Sequence, residues 1–296
     1  MYTIWLAGST ERTKQVAQTL LIDKRFLLTK IITPAPKKIG RKQILTNNPL
    51  HQFALENKVS VTLIPNKLDS VIKSELESQS KPDLLLVVDF GLLVPKWLLA
   101  LPKIAPLNIH PSMLPSWRGS TPGPSVLLSG ETDSGVTLMI MNEKMDEGPI
   151  LKQLPFKVGV DWTQTEYYQT SFRLICANLG DLLTEFITGN LIAIPQPMES
   201  PTPTAQKITK EQAFRPWNMI QQAMDEGILA QELERASRAY SPWPKLWTIV
   251  PTSKGDKRLI IHKCKLDERK YLQLELVQIE GKEVAGWNET KNAIII

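Results

Sequence analysis

The sequence predicts an α/β protein with a mainly parallel sheet in its first half and a smaller barrel-like domain after it. Between residues 1 and 110, short apolar runs of strand length alternate with helical stretches, which is the βαβ pattern. These runs contain no regular polar alternation, as is typical of strands buried on both faces of a parallel sheet. Beyond about residue 207, two helical stretches precede consecutive strands, and this order indicates an α+β or barrel-like domain.

Five strands and three helices are predicted in the first part of the chain. The strands are Thr3 to Leu6, Leu27 to Thr33, Val59 to Ile64, Leu84 to Val88 and Pro106 to Ile109. The helices are Glu11 to Ile22, Pro49 to Asn57 and Leu68 to Ser78. The first strand leads into Gly8-Ser9-Thr10, which lacks the three spaced glycines of a dinucleotide site, so a nicotinamide or flavin fold is disfavoured.

The remainder of the chain divides at a proline-rich stretch. Apolar residues at helical spacing predict a helix from Thr163 to Ile187, with Gly189 as its C-cap. Four prolines between residues 195 and 203 favour a stiff, extended linker. The predicted domains are therefore 1–189 and 207–296, joined by a linker over 190–206. In the second domain, the predicted helices are Trp217 to Glu226 and Gly227 to Tyr240, and the predicted strands are Leu246 to Val250, Arg258 to Cys264 and Tyr271 to Ile279.

The composition, with 42% hydrophobic and 22% charged residues, is typical of a soluble globular protein. No apolar run approaches the roughly 20 residues of a membrane span, and the amino terminus is typical of a buried first strand, not of a secretory signal. We therefore expect a cytoplasmic protein, and we expect a monomer because no obligatory protein partner is indicated. Cys176 and Cys264 lack metal-binding spacing, which argues against a disulfide framework and a zinc site.

The net charge of +5 favours a polyanionic partner, and a local cluster gives it a position. Lys37, Lys38, Arg41 and Lys42 lie in a stretch from Lys24 to Leu55 that contains no acidic residue. The proline, glycine and asparagine content of this stretch predicts a loop. A solvated surface loop is the alternative interpretation of the same cluster.

Three residues form a candidate catalytic site. Asn108 and His110 stand two apart at a strand end, so both side chains project from the same face. Asp146 lies in a turn between the apolar stretches Val136 to Met141 and Ile150 to Phe156. An amide, an imidazole and a carboxylate together can support acyl transfer. Taken singly, His110 could be a core histidine, and Asn108 and Asp146 could be ordinary turn residues.

These residues and their neighbours resemble the folate-dependent formyltransferases, most closely the methionyl-tRNA formyltransferase branch. The matching residues, in the order of that family's signature, are Asn108, His110, Ser112, Leu114, Pro115, Arg118, Gly119, Gly135, Val136, Thr137, Asp146 and Gly148. Two positions depart from the signature. Met113 replaces a leucine of similar volume, and Pro111 replaces a small residue, fixing φ and removing a backbone donor.

The resemblance implies a reaction, a donor and a fold. It implies transfer of a formyl group from 10-formyltetrahydrofolate to methionyl-initiator-tRNA in translation initiation, with Asn108, His110 and Asp146 as catalytic residues and without a metal. It also implies a Rossmann-like first domain and an OB-like second domain, shortened here between Asp267 and Tyr271. The residues that match the family's folate site are Phe90, Gly91, Leu92, Leu93, Val94, Pro95, Ser112, Met113, Leu114 and Pro115. Hydrophobic packing is the alternative role for these residues, and Asp89 stands where the family has a small residue.

The basic cluster occupies the place of the loop that reaches the tRNA acceptor stem in the methionyl-tRNA branch. By this resemblance, Lys37, Lys38, Arg41 and Lys42 are expected to bind tRNA phosphates. The 207–296 domain resembles the tRNA-binding domain of the same enzymes. Two other functions stay open from the sequence: a sugar-nucleotide N-formyltransferase with the same donor and catalytic residues, and a catalytically silent RNA-binding relative. The former generally lacks the basic insert.

Overall fold

The structure, a computed structural model, describes residues 1–40 and 42–295. Its strands are β1 (Tyr2–Gly8), β2 (Phe26–Pro34), β3 (Lys37–Ile39), β4 (Ile44–Thr46), β5 (Ser60–Ile64), β6 (Leu84–Val88), β7 (Ala105–His110), β8 (Asp133–Ile140), β9 (Ile150–Lys157), β10 (Leu246–Val250), β11 (Lys257–Leu266), β12 (Leu272–Ile279) and β13 (Ala285–Gly286). Its α-helices are α1 (Glu11–Ile22), α2 (Pro49–Glu56), α3 (Ser70–Glu77), α4 (Lys96–Leu99), α5 (Pro122–Ser129), α6 (Gln164–Ile187), α7 (Trp217–Asp225), α8 (Ala230–Ala239) and α9 (Trp287–Thr290).

The chain forms two compact units. The first comprises residues 1–120, 135–156 and 168–204, and the second comprises residues 121–134, 157–167 and 205–296. The second unit thus includes two segments from the middle of the chain, which sequence periodicity did not assign to it. The functional division into 1–189, 190–206 and 207–296 stays a prediction.

The first unit contains a seven-stranded sheet in the order β5-β2-β1-β6-β7-β8-β9. Strands β5, β2, β1, β6 and β7 run parallel, and β8 is antiparallel to β7. All five side chains of β6 are buried. Leu84, Leu86 and Val88 belong to a core that includes residues of α1, α2 and α6, and Leu85 and Val87 belong to a core that includes residues of α3 and α4. The prediction of a mainly parallel sheet buried on both faces is therefore confirmed.

The basic cluster, predicted as a loop, forms a short hairpin in the described residues. Strands β3 and β4 pair antiparallel, with Lys37 opposite Thr46 and Lys38 opposite Leu45. Gly40 has a φ of 72°, a backbone conformation that glycine adopts easily, and its carbonyl accepts a hydrogen bond from the Gln43 amide at 3.2 Å. The prediction of a loop was wrong because strands of three residues are too short to show an alternation pattern in the sequence.

The second unit contains a four-stranded antiparallel sheet in the order β10-β11-β12-β13. Its apolar core includes residues of α7 and α8 together with the inward-facing side chains of β10, β11 and β12. The turn between β11 and β12 is tight, because the Asp267 carboxylate accepts hydrogen bonds from the amides of Arg269 and Tyr271, both at 2.9 Å. A small antiparallel sheet closed by this turn agrees with the predicted shortened barrel-like domain. Within the described part of the chain, no helix is both long and apolar enough to cross a membrane.

Candidate active site

Asn108 and His110 occupy the carboxyl-terminal end of β7. Leu107 and Ile109 point into the core formed with α1 and α6, so Asn108 and His110 project from the opposite face, as the spacing predicts. His110 is 4% exposed, and Asn108 is partly exposed. The backbone of His110 lies opposite Thr137 of β8 and that of Asn108 opposite Met139. An amide and an imidazole are thereby held on a strand whose neighbours fix its position.

The loop after β7 folds back onto the imidazole ring. His110 Nε2 lies 3.0 Å from the carbonyl oxygen of Trp117. A carbonyl oxygen can only accept a hydrogen bond, so Nε2 carries a proton in this contact. The loop itself is fixed by the buried Thr137 hydroxyl, which donates to the Ser112 carbonyl at 2.6 Å, and by the Gln153 amide, which donates to the Leu114 carbonyl at 2.7 Å.

Asp146 completes the cluster from the turn between β8 and β9. Its Oδ2 accepts a hydrogen bond from the Gly119 amide at 2.8 Å and lies 3.7 Å from His110 Nδ1. The Asp146 side chain is 14% exposed, and its backbone has a φ of 56°, which non-glycine residues seldom adopt. The structure thus brings Asn108, His110 and Asp146, predicted from separate motifs, to one end of β7. Their groups comprise hydrogen-bond donors for a developing negative charge and an acceptor for a proton.

The ten residues matched to a folate site lie in two segments that follow the carboxyl ends of parallel strands, at the sheet edge where His110 ends β7. One segment, residues 90–95, follows β6, and the other, residues 112–115, follows its parallel neighbour β7. Phe90 is buried among Leu98 and Leu101, so its side chain has the packing role that the sequence left open. Leu93 is 81% exposed, and nothing lies within 4 Å of a Cβ placed on Gly91. The first segment therefore offers an apolar side chain and open space beside the candidate catalytic residues.

Comparison with known proteins agrees with this geometry. The formyl transferase family profile matches residues 8–173, more than half of the chain. The chain belongs to the formyl transferase family. A methionyl-tRNA formyltransferase from Myxococcus xanthus (strain DK1622) is 33% identical, over 79% of this chain and 70% of that protein.

Solved structures share the fold at lower identity. Methionyl-tRNA formyltransferase from Clostridium thermocellum has a TM-score of 0.59 and 15% identity, covering 94% of this chain and 99% of its own. A sugar 3N-formyl transferase, solved in the presence of dTDP and 5-N-formyl-THF, has a TM-score of 0.63 and 17% identity, covering 96% of this chain and 99% of its own. At these identities the likeness establishes the formyl transferase fold alone.

One residue near the site was missed by sequence reasoning. Gln196, in the proline-rich stretch predicted as a linker, donates from Nε2 to the carbonyls of Asp146 at 2.9 Å and Gly148 at 2.7 Å. Its Oε1 accepts from Nε and Nη2 of Arg118 at 3.2 and 3.0 Å. The same stretch contacts the loop after β7, because Thr202 Oγ1 accepts from the Trp117 amide at 2.6 Å. A glutamine between two prolines carries no local signal for such contacts, which depend on the folded topology.

Asp89, the unusual carboxylate at the end of β6, is paired. Its Oδ2 accepts hydrogen bonds from Arg12 Nε and from the Thr10 hydroxyl, the latter at 2.9 Å. Burial alone would lower the pKa of the Arg12 guanidinium, but the charge of Asp89 and its hydrogen bond hold that pKa above its usual value. The guanidinium also lies 4.1 Å from the centre of the Tyr168 ring. Asp89 therefore forms an ion pair with Arg12 at the edge of the sheet.

The basic hairpin follows β2, which runs parallel to β1, and β1 runs parallel to β6. The carboxyl end of β2, and with it the start of the basic hairpin, therefore lies at the same sheet edge as the candidate catalytic residues. Lys37, Lys38 and Lys42 are exposed, as are Ile44 and Leu45 at 60% and 66%. Arg41, the fourth predicted tRNA-binding residue, lies outside the described residues. Among the side chains of residues 1–40 and 42–295, no group of three or more His, Cys, Asp or Glu could hold a metal ion.

Gly148 is expected to be irreplaceable in the Asp146 turn. A Cβ at this position would lie 1.8 Å from the carbonyl oxygen of Ile140, and backbone atoms in a paired strand cannot move away easily. Gly148→Ala should lower the free energy of unfolding by about 1–3 kcal/mol, as overpacking does, whereas Glu147→Ala in the same turn should change it by less than about 0.5 kcal/mol. Urea denaturation of both variants measures the difference. Equal stabilities would mean that the turn adapts to a side chain.

Proposed function

We propose that the protein transfers the formyl group of 10-formyltetrahydrofolate to the free amino group of methionyl-initiator-tRNA, in translation initiation. The observation that carries the proposal is the position of Asn108, His110 and Asp146 at one end of β7. His110 Nδ1 and Asp146 Oδ2 lie 3.7 Å apart. Membership of the formyl transferase family and the 33% identity to a methionyl-tRNA formyltransferase support the same reaction. The intact cluster argues against a catalytically silent RNA-binding protein.

Asn108 and His110 would stabilise the negative charge that develops on the formyl oxygen when the amine attacks. His110 Nε2 carries a proton and donates a hydrogen bond to the Trp117 carbonyl at 3.0 Å; on substrate binding the formyl oxygen would share or replace this acceptor. No hydrogen bond involving the Asn108 side chain occurs among the described residues, so its amide hydrogens are available to a substrate oxygen. Each preorganised donor of this kind contributes about 2.7–4 kcal/mol to lowering a barrier.

Asp146 would accept the proton that the attacking amine loses, directly or through a water molecule. In the complete exchange, a bond forms between the amine nitrogen and the formyl carbon, the bond from that carbon to the folate nitrogen breaks, and this nitrogen takes a proton. The Gly119 amide holds Asp146 Oδ2 at 2.8 Å, which leaves the second carboxylate oxygen for the incoming proton.

The two segments at the ends of β6 and β7 would bind the folate. Bound 10-formyltetrahydrofolate supplies the activated formyl group, and its flat ring system requires an apolar slot with backbone groups at the rim. The exposed Leu93, the open space at Gly91 and the partly buried Leu92 and Val94 fit this requirement. Met113 and Pro115, partly exposed on the second segment, would form the other wall.

The acceptor assignment depends on charge. The exposed Lys37, Lys38 and Lys42 at the sheet edge would bind phosphates of the acceptor stem, together with Arg41. The domain 207–296 would supply a further RNA contact surface. On this proposal the protein acts in the cytoplasm, where translation starts, and works as a monomer.

Formyl transfer to charged initiator methionyl-tRNA tests the proposal directly. The purified protein is incubated with 10-formyltetrahydrofolate and the charged tRNA, and a parallel reaction contains a 4-amino sugar nucleotide. We expect formylmethionyl-tRNA and no formylated sugar, because the exposed lysines of the basic hairpin favour a polyanionic acceptor over a small nucleotide. Formylation of the sugar alone would retain the catalytic residues and overturn the acceptor, and formylation of neither would favour the silent RNA-binding protein.

Asp146→Asn should abolish most of the transfer while preserving the turn. Asparagine tolerates a positive φ and retains an oxygen for the Gly119 amide, but it cannot take a proton. We expect kcat to fall about 10²–10⁴-fold, the usual contribution of a general base, with a loss of stability of only about 1 kcal/mol, because the hydrogen bond from Gly119 persists without the charge. Glu147→Gln, a neighbouring carboxylate outside the cluster, serves as the control. Normal turnover by Asp146→Asn would remove the carboxylate from the mechanism.

Neutralising the hairpin should weaken tRNA binding and flatten its salt dependence. Lys37, Lys38 and Lys42 are replaced together by glutamine, and the slope of log Kd against log salt should decrease by about 0.7–0.9 for each phosphate that the hairpin no longer neutralises. Lys24, Lys58 and Lys81 provide a matched control, because they are exposed and precede β2, β5 and β6 at the opposite edge of the sheet. Equal effects of the two triple variants would mean that the hairpin lysines contribute only to the general positive charge of the protein and do not form a specific tRNA contact.

A further inference from the structure

Gln196 makes four hydrogen bonds with one side chain. Its two N–H groups donate to the carbonyls of Asp146 and Gly148, at 2.9 and 2.7 Å, and its oxygen accepts twice from Arg118. An amide side chain has two donors and two acceptor positions, so its capacity is fully used. The residue spans 50 positions of sequence to reach Asp146. Because all donor and acceptor positions of the amide are occupied, the orientation of the Gln196 side chain is closely defined.

Arg118 is held by neutral acceptors. It is 8% exposed, and its remaining hydrogen bonds go to the carbonyls of Pro197 at 2.7 Å and Met198 at 3.1 Å. No carboxylate forms an ion pair with it among the residues that the structure describes. Pro195 and Pro197 on either side of Gln196 have a restricted φ, which limits the conformations of the stretch that contacts the guanidinium. The rigid fork of the guanidinium then fixes Gln196 in turn.

The Gln196–Arg118 pair joins the loop after β7, whose backbone contacts His110 and Asp146, to the turn that carries Asp146. Arg118 belongs to the loop that contains Trp117, whose carbonyl contacts His110, and Gly119, whose amide contacts Asp146. Gln196 fixes the carbonyls on both sides of Glu147 and therefore the peptide planes of the Asp146 turn. The separation of 3.7 Å between imidazole and carboxylate thus depends on an interaction that neither group makes itself.

We infer that Gln196 and Arg118 are positioning residues, which set the distance and direction between Asp146 and His110 for formyl transfer. The inference rests on the proposed function for its catalytic consequence, and on the hydrogen bonds alone for its geometric consequence. It assigns the proline-rich stretch around Gln196 a role in shaping the site in addition to connecting two parts of the chain.

The activity test compares Gln196→Leu with Glu199→Gln, an exposed position of the same stretch. Leucine retains most of the volume of Gln196 but makes no hydrogen bond, so the Asp146 turn should move. We expect kcat to fall 10- to 100-fold, because a misplacement of about 1 Å can cost about 10²-fold, with KM values changed less than about threefold. Glu199→Gln should match the wild type. Gln196→Asn, which retains the amide on a shorter stem, should be intermediate and replaces Gln196→Leu if leucine prevents folding.

A double variant separates positioning from a general loss of structure. If Gln196 acts through Asp146, adding Gln196→Leu to Asp146→Asn should lower kcat little further, because residues that act as a unit are not additive. Penalties that multiply in the double variant would overturn the inference, as would a wild-type kcat in both Gln196 variants.

The ring signals of His110 give a measurement without substrate. The chain has three histidines, so its imidazole signals are readily assigned by NMR. Positioning predicts that the His110 signals move in both Gln196 variants and stay in place in Glu199→Gln. If the wild-type protein formylates neither acceptor while the His110 signals respond, the proposed function fails and the positioning role stands. Unchanged His110 signals in the Gln196 variants overturn the positioning role, whatever the activity.

Discussion

The parallel alignment of β2, β6 and β7 is the constraint on which the candidate site depends. Parallel strands deliver their carboxyl ends to one edge of a sheet, so the segments that follow these three strands emerge together. The basic hairpin follows β2, the segment 90–95 follows β6, and His110 ends β7. Because β6 and β7 carry mostly apolar side chains, the segments beyond their carboxyl ends supply the polar groups of the candidate site. The chemistry of the protein is therefore concentrated where the hydrophobic core stops.

Hydrogen bonds between loops then determine the geometry within that edge. Asp146 keeps a left-handed backbone, which costs on the order of 1–3 kcal/mol for a non-glycine residue. The bond from the Gly119 amide to its carboxylate is charge-assisted and contributes about 1.5–3 kcal/mol. The two quantities are comparable, so that single bond would leave the turn marginal. The hydrogen bonds of Gln196 with the carbonyls of Asp146 and Gly148 supply the additional stabilisation.

Local patterns in the sequence were sufficient to predict most of the fold and to select the three residues of the candidate site, whose catalytic role stays a prediction. Apolar runs without alternation marked β1, β2, β6 and β7, and the spacing of Asn108 and His110 placed both on one strand face. Interactions between distant residues were not predictable. Arg12 pairs with Asp89 across 77 residues, and Gln196 reaches Asp146 across 50, because the topology that joins them is not encoded in any single window. The β3–β4 hairpin was not predicted for a different reason. Each of its strands has three residues, which is too short to show an alternation of apolar and polar residues.

On the proposed function, catalysis and acceptor choice would depend on interactions of different range. The candidate catalytic groups His110 and Asp146 make contacts near 3 Å with the loop after β7, in a buried and closely defined setting. Exposed lysines act over a screening length of about 8 Å at physiological salt and tolerate small movements of the hairpin. On this proposal, a change in acceptor would involve exposed charge, whereas a change in reaction would involve the packing around β7. This difference explains how one fold can accommodate enzymes with different acceptors and a common chemical site.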